Sequence, residues 1–391
     1  MRRVVLVALG ALALAACGTG DGGARSADDT ASIDDPGASI EAVEVASESS
    51  DEGGVPDDAY GPEVPPAETT DVPAADDHEV VAPGCRTDAP SALATCVDAD
   101  TYAADLALVA RERPCGSPGL EVVRAHCQQV LEAAGFQVER QALYDGENVI
   151  GVLPGTTRAD ERVVISAHAD HIEDCPGADD NASGVAAVLG AARALSLATY
   201  ERTLVVACWD GEELGLEGSA AWADRAAAEG DDLVAVYVLD MLAYVDHAPG
   251  SQEMPAELQL LAPTAFKEVQ QNGSRGDFLA ILADPGTLKA ANLFAAAATA
   301  AGALTYVLKI PDALKMSDEA ADLRNSDHAS FWAAGFSALA VNDTGPLRNP
   351  YLHCAGGPDT IATLDVGFAV GATRGLVASA AEILGLRVAH P

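Results

Sequence analysis

The stretch "RVVISAHADHIEDCPGADDNASGVAAVLGAARALS", residues 162–196, changes character twice along its length. It opens with a β-branched apolar run that predicts a strand over 162–168, and it closes with an alanine- and leucine-rich pattern that predicts a helix over 183–196. The segment between them carries two histidines and several acidic side chains. Because functional groups of α/β proteins gather just beyond the carboxyl ends of strands, we expect a functional site in this loop.

Similar apolar runs and helical patterns alternate along the following two hundred or so positions. The other predicted strands are 148–154, 203–209, 235–241, 278–284, 305–310 and 338–343, and the other predicted helices are 218–230, 286–302 and 366–384. Continuous apolar strands that alternate with helices are typical of a largely parallel sheet covered on both faces. The sequence therefore predicts an α/β fold with three layers (αβα) around a central, mostly parallel mixed sheet.

Acidic and histidine side chains recur where the predicted strands end. They are His168, Asp170, His171, Asp179 and Asp180, followed by the amide Asn181, then Asp210, Glu212 and Glu213, then Asp240, and finally His353 close to the C-terminus. Imidazole and carboxylate groups suit zinc, and several carboxylates suit a pair of ions that share a bridging ligand. A solvated acidic surface would explain one such cluster alone, but the recurrence at four places favours a two-metal site.

The first seventeen residues, "MRRVVLVALGALALAAC", have a basic start and then thirteen apolar residues before Cys17. That run is too short for a membrane-spanning helix and is typical of a secretory signal. Its end, "LAAC", resembles the bacterial lipobox, in which the cysteine is lipidated after cleavage. We therefore expect an extracytoplasmic protein that is anchored through Cys17 to a bacterial membrane, and Gly18 favours the outer membrane or cell surface.

Residues 18–82 have a composition that differs from the rest of the chain. Between positions 18 and 80 there are eighteen acidic residues and one basic residue, and large apolar side chains are almost absent. Such a segment cannot bury enough apolar surface to fold, which predicts a disordered acidic tether. The whole chain has a net charge of −38, which argues against nucleic-acid partners. The folded domain is predicted to cover 83–391.

Seven cysteines follow Cys17, and an exported protein would be expected to pair most of them. Proximity in the sequence predicts one pair between Cys85 and Cys96 and another between Cys115 and Cys127. Cys208 lies in an apolar run and is the best candidate for a buried free thiol. The remaining pair, Cys175 with Cys354, would tie together two of the acidic and histidine-bearing loops.

Five motifs in the folded part occur in an order that resembles a known family. They are "AHADH...GADDNASGVAAVLGAAR", "DGEELGLEGS", "LDM", "SDHASFW" and "RNPYLH...DT...TLD". In this order they are similar to the dinuclear zinc metallopeptidases of bacterial leucyl aminopeptidase and aminopeptidase Y, within the Zn-exopeptidase superfamily. The resemblance runs from about residue 112 to the C-terminus. It implies the Zn-dependent exopeptidase fold and two Zn²⁺ ions.

The resemblance also implies a role for each of seven residues. His168 and Asp240 would bind one ion, Glu213 and His353 the other, and Asp180 would bridge the two. Asp170 would orient the His168 ring, and Glu212 would be the general base. In this family the peptide bond that follows the bridging aspartate is often cis, so the bond between Asp180 and Asn181 is expected to be cis.

Other residues near these motifs receive supporting roles. We expect His171 to contribute from the loop without binding metal, and Asp327 with His328 to support the site or face the substrate. Tyr244 could line the substrate pocket or belong to the core. The pocket itself is expected in the region from about 247 to 327, which has weak motif content.

The predicted function is that of a metal-dependent exopeptidase. It would be an aminopeptidase that removes N-terminal residues from peptides with a water between two zinc ions and Glu212 as the base. A carboxypeptidase or a glutaminyl-cyclase-like enzyme on the same fold is the alternative. A non-catalytic binding protein is a third possibility, and the complete ligand set together with Glu212 argues against it.

Overall fold

Eight strands form one mixed sheet in the computed structural model, which describes residues 85–387. In sheet order the strands are β1 (Gln137–Ala142), β2 (Glu147–Leu153), β5 (Arg202–Trp209), β3 (Arg158–His168), β6 (Asp232–Leu239), β9 (Leu339–Asn342), β7 (Leu279–Ala283) and β8 (Thr305–Lys309). The four central strands from β5 to β9 are parallel, and β7 and β8 are parallel to each other. The pairings of β1 with β2, β2 with β5 and β7 with β9 are antiparallel. Short β4 (Thr199–Tyr200) and β10 (Leu386–Arg387) form a separate pair.

Eleven α-helices accompany the sheet within the described residues. They are α1 (Pro90–Leu93), α2 (Ala99–Val109), α3 (Pro118–Ala133), α4 (Gly184–Leu195), α5 (Glu217–Glu229), α6 (Ala256–Leu261), α7 (Pro263–Gln271), α8 (Leu288–Ala300), α9 (Asp312–Lys315), α10 (His328–Ala333) and α11 (Val366–Leu384). Helices α1 to α4, α8 and α11 pack on one face of the sheet, and α5, α7 and α10 pack on the other. The three-layer prediction is confirmed.

Strand β3 shows how the sheet separates two hydrophobic cores. Successive side chains of a strand point to opposite faces. Val163 and Ile165 accordingly belong to the larger core beneath α4 and α11, whereas Val164 belongs to the smaller core that contains Trp222 and Phe331. A strand that is apolar on both faces reads as an unbroken apolar run, which is why "RVVI" predicted it.

All seven predicted strands and all four predicted helices are present, with ends shifted by a few residues. Strand β1 was not predicted. Its sequence, "QVERQA", alternates between exposed and half-buried positions and lies at the antiparallel edge of the sheet, so it lacks the apolar run of a central strand.

The parallel strands place the polar clusters together. Strand β3 lies between β5 and β6, with Ala167 opposite Cys208 and Ser166 opposite Val238. The carboxyl ends of the three strands therefore meet at one edge of the sheet, and the loops that follow them share that edge.

Helix α11 is the one described helix that is long and apolar enough to cross a membrane by length and composition. It packs inside the larger core, and 78% of its most apolar window is buried. This burial identifies it as a core helix.

Two of the predicted disulfides are confirmed, Cys85 with Cys96 and Cys175 with Cys354. The predicted Cys115–Cys127 bridge is wrong. Cys127 lies on the buried face of α3, where its sulfur is 2.7 Å from that of Cys208, and Cys208 is a buried thiol as predicted. The Cys115 thiol instead donates a hydrogen bond to the Asp145 carbonyl between β1 and β2. Proximity in the sequence failed because α3 begins after Cys115 and places Cys127 against Cys208 of β5.

The predicted lipobox at Cys17 and the predicted tether over 18–82 lie outside the described residues. The domain boundaries at both positions stay predictions.

Candidate metal centre

Five predicted site residues meet at the carboxyl ends of β3, β5 and β6. His168 ends β3, Glu212 and Glu213 follow β5, and Asp240 follows β6 directly. The described residues contain two groups whose ligand atoms lie within 4.8 Å of one another: His168 with Glu212 and Asp240, and His168 with Asp180 and Glu213.

Asp180 lies between the two histidines. Its Oδ1 is 3.3 Å from His168 Nε2, and its Oδ2 is 3.3 Å from His353 Nε2. His353 Nε2 is also 3.2 Å from Glu213 Oε2, and His168 Nε2 is 3.4 Å from Asp240 Oδ1. The two oxygens of one carboxylate thus face two separate groups of ligand atoms.

The electrostatics of these groups favour a bound cation. Burial opposes protonation of His168, but the surrounding carboxylates, Glu212 foremost, raise its pKa well above the usual range. Hydrogen bonds to Asp180 and Glu213 raise the pKa of His353 to about 11. Asp240 Oδ1 is buried without a hydrogen-bond partner. A divalent cation would both neutralise the carboxylates and satisfy this oxygen, so the residues present fit a metal centre.

Asp170 contacts the loop of the two glutamates more closely than it contacts the His168 ring. Its Oδ1 and Oδ2 accept hydrogen bonds from the backbone N–H groups of Glu212 and Glu213, each at 3.1 Å. Its Oδ1 lies 3.7 Å from His168 Nδ1, and its backbone carbonyl lies 3.3 Å from the same nitrogen. The carboxylate therefore fixes the position of both glutamates relative to the end of β3.

Arg113, which was not predicted, is fully buried beside this loop. Its guanidinium donates to the carbonyls of Ala169 at 2.8 Å, Pro176 at 2.6 Å, Gly177 at 2.9 Å and Asp180 at 3.1 Å. Its own carbonyl accepts the N–H of His171 at 3.2 Å. Burial lowers the pKa of Arg113 to about 10, opposed by Asp180 and Asp170. The side chain holds both ends of the 169–180 loop.

Asp359 and Asn181 complete the support of the bridging residue. Asp359 accepts the backbone N–H groups of Asp179 and Asp180, and burial raises its pKa to about 7. Asn181 donates to the Leu239 carbonyl and accepts the N–H of Met241, the two neighbours of Asp240. The Asp180–Asn181 peptide bond is cis, as the resemblance implies.

His171 binds Glu213. Its Nδ1 lies 2.8 Å from Glu213 Oε1, while the other oxygen of that carboxylate faces His353. Gly177 makes room for this arrangement, because a Cβ there would collide with the His171 ring and the Asp180 carbonyl. The structure places His171 in contact with a predicted ligand, in keeping with a supporting role.

His353 lies in left-handed backbone together with Cys354, at φ values of 51° and 56°. Two successive non-glycine residues seldom adopt this conformation. The disulfide from Cys354 to Cys175 links the turn to the loop that carries Asp180. About half of the His353 side chain is exposed, so this edge of the site opens to solvent.

Asp327 and His328 differ in what they face. Burial raises the pKa of Glu212 well above its usual range, and nearby carboxylates that include Asp327 contribute. The His328 ring forms its hydrogen bond with the backbone and not with the predicted ligands. Its Nε2 lies 2.7 Å from the Leu323 carbonyl, and the ring packs edge-on against Trp332. His328 is therefore a support of the fold.

Tyr244 is half-buried and packs edge-on against Tyr351, with the ring centres 5.9 Å apart. The predicted pocket region contains α6 to α9 and strands β7 and β8. A small, mostly apolar cavity there is lined by residues that include Met254, Phe266 and Tyr306.

The sequence matches the model of peptidase family M28 over residues 148–278. An uncharacterized protein of Escherichia coli, YfbL, is 29% identical over 209 residues, which cover 50% of this chain and 59% of that protein. A probable leucine aminopeptidase of Trichophyton verrucosum is 26% identical over 272 residues, which cover 65% of this chain and 61% of that protein. The chain thus spans about three fifths of the length of these relatives.

Solved structures share the fold. The LapA aminopeptidase of Legionella pneumophila has a TM-score of 0.57 at 17% identity, over 76% of this chain and 73% of that chain. An aminopeptidase from Aneurinibacillus has a TM-score of 0.57 at 15% identity, over 78% of this chain and 98% of that chain. At these identities the likeness concerns the three-layer architecture.

Proposed function

We propose that this chain, which belongs to peptidase family M28, is a zinc-dependent aminopeptidase with its catalytic centre at the carboxyl ends of β3, β5 and β6. The observation that carries the proposal is the position of Asp180, whose two oxygens face His168 and His353 separately. A carboxylate shared in this way is the element that a two-metal site requires.

The donor set fits two ions. His168 and Asp240 would hold one, Glu213 and His353 would hold the other, and Asp180 would bridge them. Nitrogen and carboxylate oxygen ligands of this kind suit Zn²⁺. When bound, such a pair would polarise the scissile carbonyl and lower the pKa of water.

The remaining steps belong to the chain's own side chains. Glu212 would accept a proton from the attacking water and donate it to the leaving amine. Asp170 would keep Glu212 in place through the backbone N–H that it accepts. His171 would fix the orientation of Glu213 by binding one of its oxygens.

The substrate would be a peptide with a free N-terminus. The test is to assay the purified protein on peptides with free or acetylated N-termini and with free or amidated C-termini, each with and without a chelator. We expect release of the N-terminal residue from every peptide whose N-terminus is free, and no release after chelation. Cleavage that depends on a free C-terminus would instead indicate a carboxypeptidase. Conversion of N-terminal glutamine without release of an amino acid would indicate a cyclase, and no turnover at all would indicate a binding protein.

We also propose that the protein is exported and anchored through a lipid on Cys17. Support comes from the sequence "LAAC" at 14–17 and from the two disulfides, which are typical of proteins outside the cytoplasm. Replacement of Cys17 by serine should move the protein from the membrane fraction to the soluble fraction. Retention in the membrane fraction would contradict the anchor.

A further inference from the structure

Cys127 on α3 and Cys208 on β5 are buried side by side in the larger core. Their sulfurs lie 2.7 Å apart. That separation is well inside the roughly 3.5–4 Å of ordinary non-bonded contact and approaches the roughly 2.0 Å of a disulfide. We propose that Cys127 and Cys208, which are both free thiols in the structure, form a third disulfide in the mature, oxidised protein.

The two elements are already aligned for this bond. Arg124 and Cys127 are three residues apart and share one face of α3. Asp210 directly follows β5 and is two residues from Cys208, so the two side chains lie on the same side of the sheet. Arg124 forms an ion pair with Asp210, beside the cysteine pair. The helix thus contacts the strand end at two successive points, which hold the two sulfurs next to each other.

The surroundings determine when the bond forms. A hydrogen bond with Cys208 and burial raise the pKa of Cys127 well above its usual range, so the reactive thiolate is suppressed in the folded chain. Oxidation therefore takes place before α3 closes over the sheet. The two other disulfides indicate that the chain meets an oxidant while it folds.

The chemistry is thiol–disulfide exchange with a disulfide-bearing oxidant, either a protein or a small molecule. One cysteine thiolate attacks a sulfur of the oxidant to form a mixed disulfide, and the second thiolate displaces it. The Cys127–Cys208 bond forms as the oxidant's S–S bond breaks. Two electrons pass to the oxidant, which leaves as two thiols with the two protons that the cysteines lose.

The bond would fix the strand that carries the proposed base. Cys208 is four residues before Glu212, and it lies opposite Ala167, the neighbour of His168. A covalent link from α3 to this point closes a loop of about eighty residues, a length at which disulfides stabilise considerably. The inference concerns the covalent structure and does not depend on the proposed activity.

The direct test is peptide mapping of the full-length protein, purified and unfolded without reductant in the presence of an alkylating agent. We expect a peptide that contains Cys127 to be linked to one that contains Cys208. Alkylation of both residues would overturn the proposal, and so would a linkage between Cys127 and Cys115.

Thiol counting in variants gives a second test. In Cys127→Ala and in Cys208→Ala, the partner loses its bond, so the number of thiols titrated in denaturant without reductant should rise by one. If no bond exists, each substitution removes a thiol and the count falls by one, which would overturn the proposal. Cys115→Ala is the matched control and should leave the Cys127–Cys208 linkage intact. The thermal midpoint of the first two variants should also fall, by about 10 °C.

Discussion

Arg113 contacts none of the proposed ligand atoms, yet it binds the backbone on both sides of the loop that carries Asp180. A guanidinium has five donors in a fixed plane, which lets one side chain satisfy several buried carbonyls at once. Lysine has a compact charge and cannot reproduce this arrangement. The site therefore includes side chains that position the ligands without binding metal.

Replacement of Arg113 by methionine should weaken the metal centre and the fold together. At least four buried carbonyls would lose their donor, so we expect the free energy of unfolding to fall by about 3 kcal/mol or more. Zinc affinity, measured by competition with a chelator, should fall as well. Arg111→Met is the matched control, because Arg111 donates only to the nearby Leu108 carbonyl. Equal zinc affinity in the two variants would contradict the role of Arg113.

Asp170→Asn tests the link between β3 and the two glutamates. An amide offers one acceptor oxygen where the carboxylate accepts two N–H groups, so one backbone donor of the loop would lose its partner. We expect kcat and zinc affinity each to fall by about 10- to 100-fold. Glu173→Gln changes an exposed acid in the same loop and serves as the control. Unchanged kcat in Asp170→Asn would show that the glutamates keep their positions without it.

Among the connections between helices and strands, the turn before α4 contains a position, Gly177, that only glycine can occupy without strain. Gly177 has a φ of +56°, and its missing Cβ leaves space for the His171 ring. Gly116 has a φ of +72°, but nothing lies within 4 Å of the position of its Cβ. Alanine substitution at each glycine therefore separates two free-energy costs. Gly116→Ala has only the cost of left-handed backbone, whereas Gly177→Ala also has the cost of a steric collision.

We expect Gly177→Ala to lower the free energy of unfolding by about 2 kcal/mol more than Gly116→Ala does. Zinc affinity should fall only in Gly177→Ala, because His171 would have to move away from Glu213. The measurements are denaturant unfolding and chelator competition. Similar losses of unfolding free energy and of zinc affinity in both variants would mean that left-handed backbone alone accounts for the glycine at position 177.

The central strands could be predicted because they are apolar on both faces, and four of the eleven described α-helices, α4, α5, α8 and α11, could be predicted because they have long alanine-rich patterns. Strand β1 could not, since its side chains are exposed or half-buried and its pairing depends on β2. For the site, acidic and histidine residues at strand ends were visible in the sequence. The contacts of Arg113 and Asp359 were not, because they join loops that lie about 60 and 180 residues away. The hydrogen bonds from Arg113 and to Asp359 that hold the backbone of Asp180 thus depend on tertiary structure.

For the whole molecule, the order of the strands brings the site together. The β5, β3 and β6 edge supplies Glu212, Glu213, His168 and Asp240, and the disulfide from Cys175 brings the His353 loop to the same place. The predicted Cys115–Cys127 bridge was wrong because the sequence alone does not show which face of α3 packs against the sheet. Contacts between residues far apart in the sequence, rather than proximity along the chain, determine both the assembly of the site and the position of Cys127.

Glu212 is proposed to act as the base beside a metal centre that other residues hold. The measurement is zinc content together with turnover of an N-terminally free peptide by Glu212→Gln, with Glu217→Gln, an exposed residue of α5, as the control. We predict that Glu212→Gln retains its zinc while kcat falls by about 10²- to 10⁴-fold, and that the control matches the unaltered protein. Full turnover by Glu212→Gln would contradict the proposed role of Glu212 as the base.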